Sequence, residues 1–355
     1  WGVNWKRSIV ATNERMYVGG HAAQLDFSGK QKEGIIDVLD ISDPSGKIGK
    51  GTQVETAGAV LSRWQMDERD GVLRVISQPG VGFTANGTGM PSVEMFNIWN
   101  TRSLQLMGET KLTLTRQEGL KSVRFDKDRA YAITFEQRDP LIVIDLKSAS
   151  APKQRGQLSM PGYVFHLEPS GDRLLGLGVD ATDPQGNLNV SLFDVADMDH
   201  PSMIERVSFG SIRSGQTNAG IASYELPEDQ DRIQKAFRVL DGGLVVVPFS
   251  GATTSYSGAG AVCENNGGVQ LIDWQQDSLE KRSLLPMSGN PRRAILRQNR
   301  AELIAVSDSN VTSFDITQRS SAIKQADVII GSCEVRNNAP AGGWEGRDFG
   351  DDTFE

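Results

Sequence analysis

Residues 193–201 read FDVADMDHP, residues 39–44 read LDISDP, and residues 144–152 read IDLKSASAP. Each closes an apolar run with an acid, adds one more apolar residue, and then makes a short polar turn with proline. The same apolar-acid-apolar signature, with Asn once in place of Asp, centres on Asp40, Asn97, Asp145, Asp194, Asp273 and Asp315, at intervals of 42 to 79 residues. A second apolar run with a polar lead-in precedes each of them: NERMYVGG at 13–20, RDGVLRVIS at 69–77, KDRAYAITF at 127–135, GDRLLGLGV at 171–179, DGGLVVVPF at 241–249 and NRAELIAVS at 299–307. Short runs rich in Val, Ile, Leu and Phe, bounded by Asp, Gly, Asn and Pro, are strands. A further strand reads before each lead-in (KSVRF at 121–125) and another after each acid (KQRGQLSM at 153–160).

Four strands recurring every 40 to 60 residues or so are the signature of a propeller blade. A blade cannot bury both faces alone, so blades must stack. The expected fold is an all-β β-propeller of four-stranded blades, about six in this chain, or seven or eight if the chain is a fragment. The propeller is expected to cover 1–332, and a linker with an acidic, aromatic tail to cover 333–355. Within a blade the third strand must stop sharply before the chain returns as the outer strand. An Asp or Asn side chain accepts from the backbone N–H two residues on and starts such a turn, and proline suits the loop that follows. Asp40, Asn97, Asp145, Asp194, Asp273 and Asp315 are therefore read as structural turn residues.

The totals exclude several functions. The formal charge is −8, against the clustered Lys and Arg that phosphate contacts need, so nucleic acid is not an expected partner. No run approaches the roughly 18 apolar residues of a membrane-spanning helix. The 38 glycines suit many tight turns. The chain opens on Trp1, which fits either a removed signal peptide or a fragment of something longer.

RDPLIVIDL at 138–146, GQLSMPGYV at 156–164 and VSLFDVADMDHP at 190–201, with LDISDP at 39–44, LSRW at 61–64 and QKAFRVLDGGLVVVPFS at 234–250, resemble a secreted bacterial β-propeller family distantly related to the Trp-Asp repeat (WD40-like) propellers. Gln234 stands where that family often has histidine. The resemblance implies an exported protein, secreted, periplasmic or on the surface of a bacterium, and brings no catalytic residue with it. In an oxidising compartment Cys263 and Cys333 fit one structural disulfide, the alternative being two unrelated buried thiols.

Binding is expected in the long loops between second and third strands at 21–34, 78–91 and 250–267, rich in Gly, Ser, Thr, Asn and isolated aromatics. The candidate contacts there are Phe27, Phe83, Asn86, Tyr256, Asn265 and Asn266. Trp344, Phe349 and Phe354, spaced through the acidic tail, could dock into a neighbour's groove. The stretch 180–189 offers Asp180, Asp183, Asn187 and Asn189 as oxygen ligands for calcium, although it lacks the spaced acids and closing glutamate of an EF-hand. No other cofactor is implied. The three histidines, His21, His166 and His200, lack metal-ligand spacing, and nucleophile and phosphate-loop motifs are absent. The leading reading is a non-enzymatic envelope scaffold with a protein partner. Its rivals are a hydrolase or lyase working in the central channel, and a glycan-binding module.

Overall fold

The computed structural model describes residues 8–21, 34–79, 89–100, 103–114, 119–135, 140–160, 162–180, 188–210, 230–250, 253–254, 264–265, 267–297 and 301–331. Six four-stranded antiparallel sheets follow one another along the chain, so the fold is an all-β propeller of six blades. The first holds β1 (Ser8–Ala11), β2 (Arg15–His21), β3 (Gly34–Asp40) and β4 (Gly49–Thr56). The second holds β5 (Met66–Arg69), β6 (Val72–Ser77), β7 (Ser92–Asn100) and β8 (Ser103–Lys111). The third holds β9 (Gly119–Asp126), β10 (Arg129–Phe135), β11 (Pro140–Asp145) and β12 (Lys153–Ser159). The fourth holds β13 (Tyr163–Ser170), β14 (Arg173–Val179), β15 (Leu188–Asp194) and β16 (Ser202–Phe209). In the fifth, β17 (Arg238–Leu240) and β18 (Leu244–Phe249) are separated from β21 (Gly268–Gln275) and β22 (Ser278–Pro286) by a two-stranded ribbon, β19 (Thr253–Thr254) with β20 (Glu264–Asn265). The sixth holds β23 (Pro291–Arg297), β24 (Glu302–Ser307), β25 (Asn310–Asp315) and β26 (Ile323–Ile329). A helix, α1 (Gln230–Ala236), precedes β17.

By backbone contacts the chain divides into two compact units, 1–174 with 194–202, and 175–193 with 203–355. In the first unit, one apolar cluster joins sheets one and two through Tyr17, Ile36, Val38, Leu73, Val75 and Phe96. Another joins sheets two and three through Ile76, Val93, Met95, Ala130, Ile142 and Ile144. In the second unit the corresponding cluster joins sheets five and six, with Leu244, Val246, Leu271, Leu303 and Phe314 fully buried or nearly so. The second and third strands therefore carry apolar residues on both faces, and β11 is buried from Pro140 to Ile144. Each such Leu, Ile or Phe contributes about 1.5–3 kcal/mol by leaving water, which is why the blades stack instead of standing alone.

The third strand ends at the repeated acid in β3, β11, β15 and β25, but not in the other two sheets. β7 runs past Asn97 to Asn100, and β21 runs past Asp273 to Gln275. This corrects the expectation of a turn at those two positions. In the fifth sheet the ladder continues to the pair Gln275–Ser278, and the chain reverses at Gln276, whose φ is 46°. Asp273 thus faces Glu280 across a continuous ladder rather than opening a loop.

Candidate functional site

Where the third strand does end at the acid, the carboxylate holds the turn. Asp40 Oδ1 accepts from Ser42 N at 3.0 Å, Asp145 from Lys147 at 3.0 Å, Asp194 from Ala196 at 2.9 Å and Asp315 from Thr317 at 2.8 Å. The turn that follows then leans on the outer strand of the preceding sheet. Register makes the rule plain. The repeated acid or Asn pairs with Gln105, Lys153, Glu280 or Ile323 on its own outer strand, and three residues further on stands a small residue, Gly108, Gly156, Ser283 or Ala326.

Gly156 N donates to Met198 O at 2.7 Å, in the turn after Asp194. A Cβ at Gly156 would lie 2.4 Å from Pro201 Cδ, so only glycine fits this seat. Ser283 N donates to Arg319 O at 3.0 Å, in the turn after Asp315, and Ser283 Oγ accepts from Ala322 N at 3.3 Å. A Cβ at Gly108 would meet Ala149 O at 2.7 Å, in the turn after Asp145. Met198, Arg319 and Ala149 each stand four residues past their own aspartate.

Guanidinium groups lock two of these seams. Arg155 reaches Asp145 of its own sheet at 3.0 Å and Asp199 of the next turn at 2.5 Å. Arg155 holds the Asp199 carboxyl below its ordinary range. In the fifth-to-sixth seam the signs reverse: Asp273 accepts from Arg282 Nε at 2.7 Å and also from Arg319.

The sixth sheet departs from this pattern. All seven residues of β26 are exposed, including Ala326 in the seat position. Ile323, Val328, Ile329 and the following Ile330 are solvent-facing aliphatic side chains, with Ile329 79% exposed. The corresponding strands β12 and β22 bury part of their length under the next turn. In the first sheet's turn, Pro44 is exposed and Ile48 is 60% exposed.

A separate polar cluster lies on the first strands. Arg124 on β9 and His166 on β13 are 6% and 1% exposed, and Arg124 stands over Trp64, in the 3-10 turn Arg63–Gln65 that leads into β5. That turn is fixed by Ser62, whose Oγ accepts from Trp64 N, and by Gln65, whose Oε1 accepts from Leu61 N and Ser62 N at 2.8 Å. The Arg124 guanidinium lies 3.8 Å from the Trp64 ring centroid, donates to Val123 O at 2.7 Å and meets His166 Nδ1 at 2.9 Å. A guanidinium only donates, so Nδ1 is the acceptor and the neutral ring carries its proton on Nε2, which is 3.5 Å from the Glu168 carboxylate. Burial drives the His166 pKa down, Glu168 opposes that, and Arg124 reinforces it. The imidazole is neutral near pH 7 and anchors Arg124.

Of the residues singled out in the sequence, Phe27, Phe83, Asn86, Tyr256, Asn266, Trp344, Phe349, Phe354, Asp183, Asn187, Cys263 and Cys333 lie outside the described residues. Asn265 pairs with Thr253 in the β19–β20 ribbon. Asp180 and Asn189 are the two residues of the calcium expectation that lie among the described ones, and both have partners within the fold. Arg206 reaches Asp180 at 3.4 Å and donates to Ser191 Oγ at 2.9 Å, and Ser191 donates to Asn189 Oδ1 at 3.4 Å. Asn189 is buried within β15. His200 is exposed and hydrogen-bonded to Asp197 at 2.8 Å. No helix among the described residues is long and apolar enough to cross a membrane.

Comparison with known proteins agrees with this geometry. A family described as "Beta propeller domain" matches residues 3–319. An uncharacterized protein of Methanocaldococcus jannaschii is 34% identical over 194 residues, 54% of this chain and 28% of that protein. An uncharacterized protein of Archaeoglobus fulgidus is 30% identical over 151 residues, 41% of this chain and 21% of that protein. The matched region is thus under a third of each relative's length, and both relatives are archaeal, so the likeness reaches beyond bacteria. A crystal structure of a protein from Lactobacillus plantarum shares the fold with a TM-score of 0.50 at 15% identity, covering 91% of this chain and 83% of that one.

Proposed function

This chain belongs to the beta-propeller domain family, and from that premise we propose that it is a protein-binding scaffold, working in the cell envelope or in a surface assembly outside it. The observation that carries the reading is β26. An outer strand exposed along its whole length, with Ile323, Val328 and Ile329 facing water and Ile330 just beyond it, is the kind of edge and apolar patch that binding partners cover. The remaining polar chemistry supports the same reading. Arg124 is held by His166 Nδ1 and by the face of Trp64, and the repeated aspartates hold turns or bind arginines. Export rests on the family resemblance of the 130–201 block.

The test is photo-crosslinking in the native cells, with a photoreactive residue at Ala326 or Ile329 and a control at the exposed Asp70. The expected result is a discrete protein adduct from the β26 positions and none from the control. Equal, diffuse labelling from all three would overturn the reading.

A further inference from the structure

Within the first unit, the Trp64 ring is held by its faces. Its indole Nε1 is buried and has no hydrogen-bond acceptor among the described residues, while the Arg124 guanidinium lies 3.8 Å and the Arg63 guanidinium 4.6 Å from the ring centroid. The place of Arg124 depends in turn on His166. At 2.9 Å, Nδ1 accepts from the guanidinium only while it carries no proton. The neutral ring keeps its one proton on Nε2, toward Glu168, so a second proton must go to Nδ1. There it would set donor against donor and charge against charge, in a place almost closed to water.

The neighbouring charges are few. β9 and β10 pack on β13, and the 3-10 turn packs on β9. Besides Arg124, β9 carries Lys121 and Asp126; β10 carries Tyr131 and Arg129, which is paired with Asp172; the turn carries Arg63; and β13 itself carries Tyr163 and Glu168. Arg124 opposes the imidazolium and Glu168 favours it.

We propose that His166 is a proton-operated latch: a second proton, at Nδ1, breaks the bond to Arg124, the imidazolium turns to Glu168, and Arg124 leaves the face of Trp64. The backbone of the turn stays in place, because Gln65 Nε2 donates to Ile76 O at 3.0 Å while Gln65 Oε1 accepts from Leu61 N and Ser62 N. Opening is therefore local and reversible, and it gives the Trp64 indole N–H access to water. Burial and Arg124 hold the His166 pKa below its ordinary value, so the latch is closed near neutral pH and opens as pH falls through that lowered value.

The experiment follows the indole N–H signals of the purified full chain by NMR during an acid titration, the Trp64 signal being assigned by its loss in a Trp64→Phe variant. The Trp64 signal should shift in one step, with faster exchange with water, while the Leu61 and Ser62 amides stay protected. His166→Gln offers an acceptor that cannot take up charge, so the step should vanish. Glu168→Gln, at a side chain 44% exposed, should keep the fold and move the step to lower pH. A Trp64 signal fixed until the whole chain unfolds, a step that persists in His166→Gln, or a step unmoved in Glu168→Gln overturns the proposal. If His166→Gln does not fold, the Glu168→Gln shift decides.

Discussion

The seam between the third and fourth sheets and the seam between the fifth and sixth solve one problem with opposite charges. In the first, a single guanidinium, Arg155, sits between two carboxylates, Asp145 and Asp199, and all three side chains keep contact with water. In the second, a single carboxylate, Asp273, sits between Arg282 and Arg319, and its side chain is only 10% exposed. Backbone geometry is common to both: the outer strand's small residue donates to the next turn's carbonyl. The backbone seat is therefore the conserved element of the architecture within this chain, and the charges are an interchangeable lock whose strength follows burial.

That reading predicts an order of effects. Replacing Asp273 by Ala should be the most damaging, because it leaves two guanidinium groups without their shared partner in a poorly solvated place. A loss of about 2–3 kcal/mol is expected, read as a lower midpoint in urea unfolding. An unchanged midpoint would show that the lock contributes nothing.

Gly156→Ala comes next. Its Cβ would enter the space of Pro201 and the Met198 carbonyl, and the backbone shift should cost about 1–3 kcal/mol. Ser283→Ala, at the same register, should cost only about 0.5–1.5 kcal/mol, the value of its hydrogen bond from Ala322 N. If the two substitutions cost the same, the seat is not the tight part of the seam.

A third prediction separates buried from exposed titration. His166 has its pKa lowered chiefly by burial, so the unfolded chain binds a proton that the folded chain refuses. Stability should therefore fall as pH drops below about 6.5, the ordinary histidine value. His166→Asn should flatten that slope. His200 runs the other way: Asp197 raises its pKa, and its contribution fades as pH rises through that raised value. Being fully exposed, His200 should leave a much shallower slope.

The smallest effect belongs to Arg155→Ala. With all its partners exposed to solvent, it should lower the midpoint only slightly and less at high salt, since such pairs are screened. The Asp199 carboxyl, held low by Arg155, stabilises the fold above about pH 4 and stops doing so as pH falls through its lowered value. Arg155→Ala should erase that acid dependence, which a pH series of unfolding midpoints would detect.

Much of this was legible in the sequence because it is local. An apolar run stopped by Asp and followed by a polar turn is a property of nine residues, so the sheets and their order could be read from 193–201 and its relatives. Asp273 was misread for the same reason. WQQDS after it looks like any polar turn, and nothing local shows that Gln276 would take a positive φ and carry the ladder onward. The Arg124–His166–Trp64 cluster joins two first strands and the 3-10 turn before a third, far apart in sequence. LSRW at 61–64 and the lone Arg in KSVRF were visible, but no spacing connects them to His166. The exposure of β26 is likewise a fact of packing: KQADVII reads like any outer strand until its exposure is compared with KQRGQLS.

The most direct measurement is residue-resolved amide hydrogen exchange on the dilute chain, comparing Gly156, Ser283 and Ala326. The account predicts slow exchange at Gly156 and Ser283, whose N–H groups are seated on the next turn, and fast exchange at Ala326. Slowing at Ala326 should then appear when a protein partner is added. Equal protection at all three positions in dilute solution would contradict the claim that β26 is an uncovered strand.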